Sequence, residues 1–224
     1  MVIPPDNKAD STANRRVQDR LLNAAEELFC EHGFESANIR DIAAAANCNI
    51  AAVNYYFGGK DKLYTEVWRR HLLLMRQTRI ASIDKVMSRS EGQPRLEDLL
   101  SSYANAFIKP MVDESRGRRF IKLMAREMVD RHLPQNMFLE EMIIPVMTAL
   151  QRALVRTCPG LEQQKAQLAI LSIVGQLIHT VLAETMFEQT DNPNIPKLDL
   201  TEVLNHIVKF SAAGIRAMIK EVNK

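Results

Sequence analysis

The sequence predicts an all-α protein, and three observations carry that prediction. Leu, Ala, Glu, Lys, Arg, Met and Gln, all of them helix-favouring, dominate the chain. Glycine is sparse, at 8 residues in 224. Apolar residues recur at three- and four-residue spacing between clear breakers. With 46% hydrophobic and 25% charged residues, the composition is that of a soluble globular chain.

Residues 1–13 open with Pro4-Pro5 and continue polar, so they are expected to form a disordered arm. A first helix is expected over residues 14–31, where Val17, Leu21, Ala24, Ala25 and Leu28 form one apolar stripe. Gly33 then offers a stop at positive φ. A short second helix starts at Asn38, with Asp41 in the third position of a capping-box-like pattern, and ends at Ala46. Asn47-Cys48-Asn49 is a tight turn, since asparagine tolerates left-handed backbone. A third helix follows over residues 50–57, stopped by Gly58-Gly59, and a long fourth begins near Lys60.

Further on, residues 88–93 are polar and Pro94 opens a helix reaching about Lys109. Residues 113–117 break the chain before a basic helix to about Arg131. Pro134 opens the next helix, ending near Cys158-Pro159-Gly160, with Pro145 expected to kink it and so open a cavity. Residues 161–189 read as one long helix, residues 191–196 as a loop, and Thr201 as the cap of a last helix to about Glu221.

The bulk numbers exclude several functions. A net charge of +2 does not by itself argue for nucleic-acid binding. Residues 1–62 hold seven Lys/Arg against nine Asp/Glu, so DNA contact there would depend on placement. Cys30, Cys48 and Cys158 are scattered and odd in number, which fits a reducing, cytoplasmic compartment. The polar N-terminus has no apolar core of a secretory signal. Residues 166–183 are uncharged and nearly long enough to span a membrane. Gln167, Ser172, Gln176, His179 and Thr180 favour a core or interface helix instead. The five histidines lack HExxH spacing, and no Gly-rich phosphate loop or GxSxG occurs, so no enzyme, metal or cofactor is expected.

The run 39–57 is helix, three-residue turn, helix. That is helix-turn-helix geometry, whose second helix enters a DNA major groove; a generic three-helix packing motif would show the same pattern. Val53, Tyr56 and Phe57 would dock the third helix. Ala51, Ala52, Asn54 and Tyr55 would face outward. Asn54 suits adenine, alanine a thymine methyl, Tyr55 a phosphate and Arg40 a guanine. Lys60, at a helix start, suits phosphate. The full candidate DNA surface is Asn38, Arg40, Asn49, Ala51, Ala52, Asn54, Tyr55, Tyr56 and Lys60. Arg15, Arg16 and Arg20 would supply backbone charge or remain a solvated face.

The segment GFESANIRDIAAAANCNIAAVNYYFGGKDKLY, residues 33–64, resembles the signature of the TetR family of bacterial regulators. Gly33-Phe34, Ile39-Arg40-Asp41-Ile42-Ala43, Tyr56-Phe57 and Lys60 before Leu63 carry the likeness without a gap. Residues 49–53 followed by Tyr55-Tyr56-Phe57-Gly58 look most like its CecR-like subgroup, as do Arg126-Glu127 and Ile143-Ile144-Pro145. Asn47 stands where the turn usually has Gly, and Asn54 where most members have Tyr. The third helix carries no Arg or Lys.

The resemblance implies a helix-turn-helix domain over residues 14–60. A larger helical domain, residues 61–224, would bind a largely apolar small-molecule effector and form a homodimer. Ten of eleven methionines lie beyond residue 65, and methionine fills irregular apolar cavities. Phe107, Met111, Leu123, Met124, Met142 and Met147 are candidate pocket walls or plain core. His179 would touch ligand or sit in an interface. Two stripes would form a four-helix dimer interface or bury within their own subunit: Leu168, Leu171, Gly175, Ile178 and Leu182, and Leu204, Val208, Ser211 and Ile215. The basic helix Arg116, Arg118, Arg119, Lys122 and Arg126 reads as a solvated face. The expected function is a repressor released from a palindromic operator by its effector. The alternative is a helical scaffold protein without sequence-specific DNA recognition.

Overall fold

The computed structural model describes residues 7–89, 93–112, 116–188 and 199–220, and every regular element among them is a helix. α1 (Asn7–Ser36) begins inside the segment expected to be disordered. Residues 1–6 lie outside the described residues. Gly33 breaks α1 with φ +80, as the sequence indicates.

α2 (Ile39–Ala45) and α3 (Ile50–Phe57) follow, each capped by asparagine. Asn38 Oδ1 accepts from the Arg40 amide at 3.0 Å, and Asn49 Oδ1 from the Ala51 amide at 2.9 Å. These bonds satisfy amides that a helix start leaves unpaired. Asn47 turns the chain between them at φ +50, and Gly58 ends α3 at φ +72.

α4 (Lys60–Arg89), α5 (Leu96–Val112) and α6 (Arg116–Asp130) come next. A π-helical turn (Leu139–Ile143) runs straight into α7 (Ile144–Thr157), followed by α8 (Gln163–Glu188) and α9 (Leu200–Lys220). The α9 cap is Asp199, whose Oδ1 accepts from the Thr201 amide at 2.8 Å, so Thr201 is not the capping residue. The loop expected at 191–196 lies outside the described residues.

Contacts divide the chain into two compact units: Met1–Leu72 with Ser115–Met137, and Leu73–Glu114 with Phe138–Lys224. The first contains α1, α2, α3, the start of α4, and α6. Leu21, Ala25, Phe29, Ile42, Val53, Leu63, Trp68 and Phe120 fill its core. Aromatic rings meet edge to face, Phe29 on Tyr64 at 5.0 Å and Trp68 on Phe120 at 5.6 Å. The basic helix α6 packs on α1 and is not wholly a solvated face. Arg126 Nη2 donates to the Glu31 carbonyl at 2.9 Å, and Arg119 Nη1 to the Glu27 carboxylate at 3.1 Å. Arg118 and Lys122 are exposed.

In the second unit, Leu99, Leu100, Tyr103, Ile108, Leu150, Leu154, Ile170, Leu177 and Ile215 form the core. Pro145 has no N–H to give the carbonyl one turn earlier. The backbone widens into the π turn directly before it, and Arg76 Nη1 donates to the Glu141 carbonyl at 3.0 Å.

Candidate functional site

α3 meets the geometric demands of a groove-reading helix. It is short, so neighbours must hold it. Val53 is fully buried, and Tyr56 donates from its hydroxyl to Asn14 Oδ1 of α1 at 2.8 Å. With that side anchored, Ile50, Ala51, Asn54 and Tyr55 are exposed, and Tyr55 is 79% accessible. The Tyr55 ring stands edge-on to Tyr56, 4.9 Å between centroids, which limits its sweep. Asn38, Arg40 and Asn49 are also exposed, at the starts of α2 and α3. Arg15, Arg16 and Arg20 are exposed on α1, and Arg20 Nη2 reaches Cys48 Sγ in the turn at 3.6 Å.

Three candidates stand differently from the rest. Ala52 is half-buried. Tyr56 spends its hydroxyl on Asn14, which makes it an anchor. Lys60 Nζ donates to the Glu35 carbonyl at 3.1 Å and lies 4.6 Å from the Phe34 ring centroid. Asn14, the first residue of the first expected helix, was legible only as a polar residue at a helix start.

A charge cluster joins α1, α4 and α6 in the same unit. Glu26 is buried and contacts Arg70, with His71 Nε2 at 3.4 Å and Arg119 Nε at 3.6 Å. Burial alone would raise its pKa; the bonds and charges of His71 and Arg70 outweigh that and hold it at about 2. Burial, with the nearby Glu26 charge, pushes the Cys30 thiol up to about 12, so Cys30 is an inert core residue. Tyr64 donates to Glu127 Oε2 at 2.9 Å, and Glu127 Oε1 accepts from the Leu133 amide at 2.7 Å. Arg126 and Glu127 thus tie α6 to α1 and α4 within one unit.

The candidate pocket residues divide between the two units. Phe107 and Met142 are buried in the second unit, with Met111 and Met147 half-buried there. Leu123 and Met124 belong to the first unit, Leu123 in its core, because α6 packs on α1. His179 is exposed on α8 and so does not line an enclosed site. Arg79, which the sequence pattern did not single out, lies between Phe107 and Met142. Met75, Arg79 and Ile83 share one helical stripe, and all three are buried.

The candidate dimer stripes also part company. Leu168, Leu171, Gly175, Ile178 and Leu182 are all exposed along α8, Leu171 at 65%. Leu204, Val208, Ser211 and Ile215 are instead buried against their own chain, since α9 packs on α5 and α8. The exposed residues of α9 include His206, Phe210, Ala213 and Gly214. Among the described residues α8 is the one helix long and apolar enough to cross a membrane by length and composition. Among the described residues no group of three His, Cys, Asp or Glu is placed to hold a metal.

Comparison with known proteins fits this geometry. A family model described as bacterial regulatory proteins, tetR family, matches residues 21–67. A second, described as tetracyclin repressor-like, C-terminal domain, matches residues 105–214. The dual regulator CecR of Shigella flexneri is 42% identical over 59 residues, 26% of each chain. The repressor NicS of Pseudomonas putida is 38% identical over 52 residues, so the match spans 24% of that relative's length. The regulator YttP of Bacillus subtilis is 22% identical over 196 residues, 83% of this chain and 89% of YttP. Among solved structures, a TetR-family regulator from Mesorhizobium loti superposes with a TM-score of 0.67 at 19% identity, covering 91% of this chain and 96% of that one. FadR from Bacillus subtilis, in complex with stearoyl-CoA, gives 0.63 at 18% identity, covering 88% and 98%. The two family models lie on the two halves of the same helical chain, one over α1 to α4 and the other from α5 to α9: the protein belongs to the TetR family of bacterial regulators.

Proposed function

We propose that the protein is a ligand-responsive, DNA-binding transcriptional regulator, a repressor that leaves a palindromic operator when a small effector binds. The observation that carries this is the exposed face of α3. Ala51, Asn54 and Tyr55 project from a helix held from behind by Val53 and Tyr56. Small residues allow close approach to a groove, and Asn54 offers the bidentate pattern that suits adenine. The positive ends of α2 and α3, with Arg40, Arg15, Arg16 and Arg20, supply phosphate contacts.

The working species is a homodimer in the cytoplasm. The exposed α8 stripe and the Phe210 face of α9 are apolar surfaces suited to a second copy across a two-fold axis. Two reading helices would then address half-sites about 34–36 Å apart or a multiple of that spacing. Effector binding belongs to the second unit, where Phe107, Met111, Met142 and Met147 supply an apolar lining. A fold-level relative holds stearoyl-CoA, which supports a site of this general kind. The effector acts by binding the DNA-competent and DNA-incompetent states unequally.

A scaffold without DNA recognition is the second reading, favoured by the absence of Lys and Arg in α3 and by the engagement of Lys60 with Glu35. Salt dependence separates the two. Binding to duplex DNA from the region upstream of its own coding sequence should weaken steeply with salt, because phosphate contacts release counterions. A gel shift no stronger than for random duplex, with a flat salt response, favours the scaffold.

A further inference from the structure

Arg79 occupies a position that elementary electrostatics disfavours. It sits on α4 in the second unit and is only 4% exposed. Arginine keeps its proton in proteins, so the charge stays. Buried charges are ordinarily paired, since an unpaired one forfeits its hydration. Here the Arg79 Cζ lies 3.9 Å from the Phe107 ring centroid and Nη1 lies 3.2 Å from Met142 Sδ. A ring face and a thioether are weak partners for a cation. The Nε has no hydrogen-bond partner at all. The group acting electrostatically on Arg79 is the buried Tyr103, a neutral phenol whose ionisation burial disfavours, and no carboxylate forms an ion pair with the guanidinium among the described residues.

The surroundings are also suited to change. Met142 belongs to the π-helical turn, and such turns concentrate at functional sites because their backbone is not locked into the α pattern. Methionine is flexible, so Met142 can yield its place to a better acceptor. One turn earlier on α4, Arg76 holds the Glu141 carbonyl of the same segment. A ligand that moved Met142 would therefore act on the turn where α7 begins.

We infer that Arg79 is the anion-binding centre of an effector site in the second unit, and that its ligand joins a carboxylate or phosphate head to an apolar body. The head takes the guanidinium fork and displaces the Met142 thioether, and the body lies along Phe107 and Met111. The inference deepens the reading of this unit as effector-binding and rests on it. The head group follows from the bare guanidinium alone: an apolar ligand would leave that charge uncompensated, and a cation would repel it.

The test uses the full chain and the matched probes octanoate, octyl phosphate and octanol, read by titration calorimetry and thermal midpoint without DNA. In the wild type, one or both anions bind and raise the midpoint more than octanol; which anion binds tighter separates carboxylate from phosphate. Arg79→Met reduces anion affinity about tenfold or more, leaves octanol unchanged, and raises the ligand-free midpoint, because an uncompensated charge is gone. Arg79→Lys keeps a preference for the anions. Equal responses to octanol and the anions in the wild type, no response to either anion, or a lower ligand-free midpoint in Arg79→Met overturns the inference. Duplex binding by the ligand-free proteins is measured separately. A wild type that ignores DNA yet selects anions through Arg79 contradicts the regulator reading and leaves the anion site standing.

Discussion

Arg126 on α6 donates to the carbonyl of Glu31 near the end of α1, 2.9 Å away, although 95 residues separate them in the chain. The bond closes the first unit, since α6 returns in sequence between two elements of the second unit to pack on α1. Gly33 makes room for it. A Cβ there would meet Arg126 Nη1 at 2.6 Å, on a backbone at φ +80.

Gly33→Ala should therefore destabilise the protein by about 1–2 kcal/mol, from positive-φ strain and the displaced guanidinium. Chemical denaturation checks this. An unchanged midpoint would mean that the α1 break tolerates a side chain.

Acid should weaken the first unit through Glu26. Its folded pKa of about 2 lies below the ordinary 4.5. Its contribution is thus complete above about pH 4.5 and is lost as pH falls toward 2, about 3 kcal/mol in all. Glu26→Gln should remove that part of the acid dependence, so the stability gap between variant and wild type narrows as pH drops. A gap constant over that window would show Glu26 to be unperturbed.

Arg76 and Pro145 should be energetically coupled. Arg76→Leu leaves the Glu141 carbonyl without its donor, at a cost of about 1–2 kcal/mol. Pro145→Ala restores a backbone N–H and should make Arg76→Leu less costly. A double-mutant cycle on thermal or denaturant unfolding reads this coupling directly, and strict additivity would contradict it.

The exposed α8 face should hold the dimer. Leu171→Glu combined with Leu182→Glu should shift the protein to monomer in sedimentation velocity while retaining its helical circular dichroism, because both side chains already face outward. Leu204→Glu, at a buried site, should instead unfold the chain. Monomers in the wild type would remove α8 as the interface.

The short-range chemistry of the fold was legible in the sequence. Asn38, Asn49, Asn47 and Gly58 each act through a cap or a positive φ within a few residues, so α2 and α3 lie where the residues put them. Long-range partnership was not. A basic amphipathic helix does not reveal that it packs on α1, so the place of Leu123 in the core of the first unit was not legible. The stripe of Leu204, Val208, Ser211 and Ile215 on α9 looks the same whether it buries in its own subunit or in a second one. Arg79 was hidden because a lone arginine in a long helix ordinarily reaches water; only the burial of Met75 and Ile83 beside it shows that its stripe faces inward.

Sequence selection tests whether α3 reads DNA. Duplexes selected from a random pool by the wild type should converge on an inverted repeat, and affinity for that repeat should fall about tenfold or more in Asn54→Ala and Tyr55→Ala, with unchanged melting midpoints. Failure of any repeat to enrich, or full affinity in both variants, would contradict the assignment of α3 as the recognition helix.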